Sequence, residues 1–251
     1  MPAGPLLLAD TGETEINVTR VFMKGEVMKI TKQQMAGMID HTLLKPFAGL
    51  SQIRQLCEEA VKQGFASVCI NPCHISAARE LLSGTSVKVC TVIGFPLGAA
   101  MTDVKAFEAR EAVRAGAGEI DMVINIGFLK DKRFEEAYED ILAVVKSIAS
   151  VSDTVLLKVI IETCYLTEEE KVRACLLAER AGAHFVKTST GFGTGGALTG
   201  DIDLMRRTVS AGMGIKASGG IKTAAQAIAV LEAGATRIGT SSGKIIIAEM
   251  D

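Results

Sequence analysis

From Met38 onward, apolar and polar positions follow one repeating rhythm: a short apolar run, a loop, an amphipathic stretch, often a glycine, then the next run. The short runs predict eight strands, over 38–44, 65–70, 87–93, 119–125, 154–162, 184–189, 214–218 and 236–239. Between them SQIRQLCEEAVKQG, TDVKAFEAREAVRAG, FEEAYEDILAVVKSIAS, TEEEKVRACLLAERAG and TAAQAIAVLEAG carry apolar residues three and four positions apart, which predicts helices. Gly64, Gly116, Gly182, Gly212 and Gly234 stand where left-handed C-caps are expected, and Asp103, Thr167 and Thr223 where N-caps are. Thr31 with Gln34 forms a capping-box pattern that predicts a short helix over 32–37. Strict strand–helix alternation implies parallel strands joined by right-handed crossovers, and eight units favour an α/β fold closed as a single (β/α)8 TIM barrel over 30–251. An open doubly wound sheet is the alternative. Residues 1–29 do not join the rhythm. They mix Pro, Gly and acidic residues with one strand-like run, INVTRVFM, and Met28 reads as an original start, which makes the segment an N-terminal extension, disordered or non-native.

Composition narrows the function classes. The 251 residues are 48% hydrophobic and 22% charged, with a formal net charge of -2, so neither nucleic acid nor an anionic membrane surface is a natural partner. Two tyrosines and no tryptophan leave no stacking platform for single strands. No window approaches the roughly 20 apolar residues of a spanning helix, and the start lacks a basic signal region, which together suggest a cytoplasmic protein. Six scattered cysteines suit reduced thiols. Cys69, Cys73 and His74 give the one hint of a metal site, without a second ligand pair, and His41, His74 and His184 form no spaced ligand set.

The candidate chemistry lies where charges interrupt the apolar runs. Lys187 in HFVKTSTGFGTGG and Lys216 in GIKASGG occupy equivalent places in consecutive predicted strands, each followed by hydroxyls and glycines. If those strands are neighbours, both lysines can project into one enclosed space, where two crowded ammonium groups lower the pKa of one and leave an amine able to attack a carbonyl. Asp40 with Thr42, Asp121 with Asn125, and Lys158 with Glu162 each share a strand face by alternation. For Asp40, Lys158 or Glu162 taken singly, a buried ion-pair network explains the charge as well as catalysis does. Three interior lysines against so few carboxylates make that explanation poor for Lys187 and Lys216 together. Gly219 and Gly220 follow the seventh run, and Gly239, Ser241, Ser242 and Gly243 the eighth, the pair of loops that holds phosphate in barrels of this kind. No GxGxxG after the first run and no P-loop pattern occurs.

MIDHTLLKP, FASVCINP, TVIGFPLG, EIDMVIN, LKVIIET, FVKTSTGFGTGGA, IKASGGI and RIGTSSG, in this order, resemble the deoxyribose-phosphate aldolase family over residues 38–243. The resemblance implies a class I aldolase that reversibly cleaves 2-deoxy-D-ribose 5-phosphate to acetaldehyde and D-glyceraldehyde 3-phosphate, with no metal or organic cofactor. It implies Lys187 as the Schiff-base nucleophile, Lys216 as the group that perturbs its pKa and joins a proton relay, and Asp121 as general acid and base. Lys158 and Asp40 would support the site, Asp40 near the sugar hydroxyls. Gly191, Gly219, Gly220, Ser241 and Ser242 would surround the phosphate. Its partners would be small phosphosugars and aldehydes, and the chain would form a homo-oligomer, a dimer or a tetramer. LTGDID after the GTGGA stretch and the end KIIIAEMD, without a terminal tyrosine, depart from the family pattern. A phosphosugar isomerase or epimerase using Asp121 with Asp40, and a non-catalytic phosphosugar binder, are the competing readings.

Overall fold

The computed structural model describes residues 30–250, so the expectations for residues 1–29 lie outside the described residues. Eight parallel strands close into a barrel in sequence order: β1 (Ile39–Leu43), β2 (Ser67–Ile70), β3 (Lys88–Ile93), β4 (Glu119–Val123), β5 (Leu156–Ile160), β6 (Phe185–Lys187), β7 (Gly214–Ser218) and β8 (Arg237–Thr240). Closure is made by β8 on β1, with Ile39 opposite Ile238 and Asp40 opposite Gly239. Ten helices flank the strands among the described residues: α1 (Lys32–Ala36), α2 (Leu50–Gln63), α3 (Ile75–Leu81), α4 (Thr102–Ala115), α5 (Ile126–Lys130), α6 (Phe134–Ala149), α7 (Glu168–Arg180), α8 (Thr199–Thr208), α9 (Ala224–Glu232) and α10 (Gly243–Ala248). With helices outside and packed side chains inside, the strands are buried on both faces, which is why they read as near-continuous apolar runs.

Local chemistry sets the helix ends. The capping box of Thr31 and Gln34 opens α1, and Thr167 with Glu170 and Thr223 with Gln226 open α7 and α9 in the same way. Gly64 and Gly116 cap α2 and α4 in left-handed conformations, and Gly182 and Gly234 follow α7 and α9 with positive φ. Two expected caps are placed differently. Asp103 lies inside the first turn of α4, whose N-cap is Met101, so it favours that helix through the dipole rather than by capping it. Gly212 is not among the left-handed glycines, because α8 stops at Thr208 on an extended Val209 and Arg206 ties off the following turn through the carbonyls of Val209 and Met213.

The core has two unequal parts. The larger fills the layer between barrel and helices, with Ile39, Ile53, Ile120, Met122, Ile141, Val186 and Ile215 at its centre. Inside the barrel the apolar cluster is small, Leu44, Cys69, Cys90 and Val92 with Phe95 against it, all from β1 to β3 and the segments that follow them. Barrel interiors of this type are ordinarily filled by branched aliphatic side chains. Here much of that volume is occupied by charge.

Candidate active site

The register puts Lys187 of β6 directly beside Lys216 of β7, so both side chains turn to the same face. That face is the barrel interior. Asp121 of β4 meets both through a single oxygen: Oδ2 lies 2.8 Å from Lys187 Nζ and 2.7 Å from Lys216 Nζ. The two amines can therefore be no farther apart than those two bonds laid end to end. Asp121 Oδ1 is held at 3.0 Å by Lys158 of β5, and Cys90 Sγ donates to the same oxygen at 3.2 Å. Below this layer Lys158 reaches Glu119 at 2.5 Å, Lys216 reaches Asp40 Oδ2 at 2.5 Å, and Ser67 donates to Asp40 Oδ1 at 2.6 Å. Arg237 closes the floor with Nε at 2.6 Å from Asp40 and Nη2 on Glu119.

This network revises the expectation that too few carboxylates exist to neutralise the lysines. Glu119 and Arg237, at the first positions of β4 and β8, join it, and the cluster sets Lys158, Lys187, Lys216 and Arg237 against Asp40, Glu119 and Asp121. Formally one cation is in excess. Burial opposes ionisation of Asp121, yet Lys158, Lys187 and Lys216 outweigh it and hold the carboxyl well below the usual carboxylate range. Asp40 is lowered against its burial by Lys216, Lys158 and Arg237. Burial likewise opposes the charge on Lys216, but Asp121 and Asp40 raise it above the ordinary lysine value, and Lys158 is raised well above, chiefly by Asp121. Burial pushes the Cys90 thiol up, which keeps it a donor to Asp121. Lys216 therefore stays charged beside Lys187.

Above the cluster a cavity of about 310 Å³ opens at the carboxyl ends of β1, β6, β7 and β8. Of the four clustered cations only Lys187 lines it; Asp121, Asp40, Lys158 and Lys216 lie beneath. Gly191, Gly219, Gly220 and Ser241 line the same cavity, as do the exposed Lys45 and Lys222. Among the described residues no group accepts a hydrogen bond from the backbone N–H of Gly191, Gly219, Gly220 or Ser241. Gly219 and Gly220 take φ of 91° and 80°, a conformation that glycine adopts freely and that turns consecutive amides to one side. One cavity thus offers both an amine and free amide donors.

Not every residue singled out in the sequence arrives there. Ser242 is the N-cap residue of α10, its N–H donates to Thr240 Oγ1 at 2.9 Å, and it is not among the residues that line the cavity. Asn125 caps α5 through the N–H of Phe128 at 3.1 Å. Glu162 does not share the face of Lys158, because β5 ends at Ile160 and the chain then turns through a left-handed residue, which breaks the alternation. Thr42 lines the cavity as its spacing from Asp40 suggested. Among the described residues, the groups close enough to share an ion are Cys69, Cys90 and Asp121, and Asp40, Cys90 and Glu119, both threaded by lysine ammonium groups that oppose a cation. Cys73 is exposed, and neither it nor His74 belongs to either group.

The family model for DeoC/LacD aldolases matches residues 34–249. The chain belongs to the DeoC/LacD aldolase family. A deoxyribose-phosphate aldolase of Clostridium perfringens is 60% identical over 211 residues, covering 84% of this chain and 93% of that protein. One from Carboxydothermus hydrogenoformans is 58% identical over 218 residues, covering 87% and 96%. A solved structure, a tetrameric deoxyribose phosphate aldolase from Aeropyrum pernix, superposes with a TM-score of 0.81 at 35% identity over 87% of this chain and 91% of that one. What a reading of this aldolase's sequence missed is the lower half of its charge cluster, Glu119 and Arg237, and the two lysines at the cavity mouth, Lys45 and Lys222. Glu119 and Arg237 sit at strand starts, where a charge is ordinarily solvated; only barrel closure turns them inward.

Proposed function

We propose that this protein is a deoxyribose-phosphate aldolase, a lyase that reversibly cleaves 2-deoxy-D-ribose 5-phosphate to acetaldehyde and D-glyceraldehyde 3-phosphate. The observation that carries its Schiff-base mechanism is that, of the amines in the cluster, Lys187 alone reaches the cavity while sharing one carboxylate oxygen with a neighbouring lysine held in its charged form. Lys158, Lys216 and Arg237 already match Asp40, Glu119 and Asp121 in number, so a neutral amine at Lys187 leaves the cluster without net charge.

The steps follow from that placement. Neutral Lys187 adds to the C1 aldehyde of the open-chain sugar, and loss of water gives a protonated imine. The imine draws the electrons of the C2–C3 bond as a base removes the C3 hydroxyl proton; glyceraldehyde 3-phosphate leaves and an enamine remains on Lys187. Protonation of the enamine carbon and hydrolysis of the imine release acetaldehyde and the free amine. Lys216 and Asp121 form the proton relay. Asp121, strongly held as a carboxylate, accepts hydrogen bonds from both lysines and so aligns them for proton exchange through substrate water, with Lys216 as the charged donor. Asp40 and Lys158 fix that relay from below. The unpaired amides of Gly191, Gly219, Gly220 and Ser241 hold the phosphate, with Lys45 and Lys222 adding positive charge at the mouth, and Ser242 supports the loop through its N–H on Thr240 Oγ1.

Trapping decides the covalent step. Borohydride with acetaldehyde is expected to inactivate the enzyme and add an ethyl group at Lys187 by peptide mapping; retention of full activity would exclude the imine and favour a non-covalent barrel enzyme.

Among the described residues no helix is long and apolar enough to cross a membrane, and the protein acts in the cytoplasm on small phosphosugars. It assembles as a homo-oligomer, a dimer or tetramer, a reading supported by the exposed Leu97, Met101, Val104 and Phe107 running into and along α4. Light scattering on the purified protein tests this.

A further inference from the structure

Glu162 stands just past β5 with φ of 55°, a backbone region that residues with side chains rarely occupy. Its carboxylate is buried, and among the described residues no cation pairs with it. Burying a carboxylate without a counter-charge is unfavourable unless hydrogen bonds replace water. Most come from Thr190: its N–H lies 3.2 Å from both carboxylate oxygens and its hydroxyl donates to Oε2, with the Cys164 thiol a longer donor to Oε1 at 3.9 Å. With its proton so committed, Thr190 Oγ1 accepts from the N–H of Phe192 at 3.0 Å. Of three consecutive amides in this loop, those of residues 190 and 192 are thus consumed, and that of Gly191 is left free in the cavity wall.

We propose that Glu162 is a positioning residue for the phosphate end of the substrate, which it serves by fixing the Thr190–Phe192 turn so that the Gly191 amide alone is presented to the anion. The inference rests on the phosphate reading given above. The loop has little room to find this geometry by other means: a Cβ on Gly193 would fall 2.9 Å from Cys164 Sγ and 3.3 Å from the Glu162 carboxylate, so the β6–α8 loop lies directly on the turn that carries Glu162.

The test compares kcat and KM for 2-deoxyribose 5-phosphate and for unphosphorylated 2-deoxyribose in the full chain and in Glu162→Gln, whose amide nitrogen cannot accept from Thr190. The preference of the variant for the phosphorylated sugar is expected to fall about tenfold through KM, the size associated with losing a hydrogen bond to a charged acceptor. Reductive trapping of acetaldehyde at Lys187, which needs no phosphate, keeps its wild-type rate. If the wild-type protein itself shows no preference for the phosphorylated sugar, the phosphate reading fails. If that preference exists and Glu162→Gln retains it, the positioning role alone is overturned, as it is if both sugars and the trapping rate decline together, the pattern of general scaffold damage. Should Glu162→Gln not fold, Thr190→Val removes the same hydroxyl link and must show the same loss of preference, or the inference is wrong.

Discussion

Leucine at position 187 fills the volume of the lysine stem but supplies no amine to the cavity, and it removes the formal excess cation from the cluster. Lys187→Leu is therefore expected to abolish turnover and acetaldehyde trapping while the barrel stays folded by circular dichroism. Lys216→Leu acts differently, because it takes away the cation that Asp121 and Asp40 hold in place beside Lys187. With Lys216 gone, the remaining cations and carboxylates already balance, so discharging Lys187 leaves a net negative cluster. The rising limb of the pH–rate profile should move to higher pH, and turnover should drop about 10²- to 10⁴-fold, the range for losing a positioned acid–base group. A Lys216→Leu profile that overlays the wild type would contradict the electrostatic argument.

At the scale of elements, the amide cradle is made by loops that touch backbone to backbone. Ala197 N–H donates to Gly219 O at 3.0 Å, and a Cβ on Gly196 would sit 2.4 Å from that same oxygen. Gly196→Ala should push the β7 loop outward and weaken inhibition by inorganic phosphate, with trapping at Lys187 less affected; unchanged phosphate inhibition would mean the loops are not mutually braced. Caps offer a contrasting case. Thr167→Ala removes the box at the start of α7, outside the residues that line the cavity, and is expected to cost about 1 kcal/mol in denaturant unfolding without altering KM. The strands and long helices were legible because burial on two faces gives apolar runs, and burial on one face gives a spacing of three and four. The short helices α3, α5 and α10 were not, since one or two turns carry too few positions to establish a period. Glu162 was misassigned to the interior face for a related reason: alternation holds only within a strand, and β5 ends two residues earlier.

At the scale of the whole molecule the barrel closes on a cluster of four cations and three carboxylates, and this was half legible in the sequence. Asp40, Asp121, Lys158, Lys187 and Lys216 announce themselves as charges within apolar runs, whereas Glu119 and Arg237, far apart in sequence, resemble strand-flanking surface residues until the barrel closes. The completed cluster makes a claim about stability against pH. Asp40 and Asp121 have folded pKa values below their ordinary ones, so what they contribute is fully present above about pH 4 and is lost as pH falls through the depressed values. Lys158 and Lys216 are raised, so their contribution is fully present below about pH 10.5 and is lost only beyond it. His41 and His184 are lowered, mainly by burial, so a separate, shallower loss begins as pH falls below about 6.5. Thermal unfolding should therefore show a broad plateau, a small step near pH 6 and a steep fall below pH 4. Asp121→Asn leaves Lys158, Lys187 and Lys216 without their shared carboxylate and is expected to lose about 3–5 kcal/mol at neutral pH, the cost of breaking a buried pair from one side. In that variant the steep acid limb should flatten while the histidine step persists; if the acid limb is unchanged, acid unfolding originates outside the barrel interior and the cluster is not what ties stability to pH.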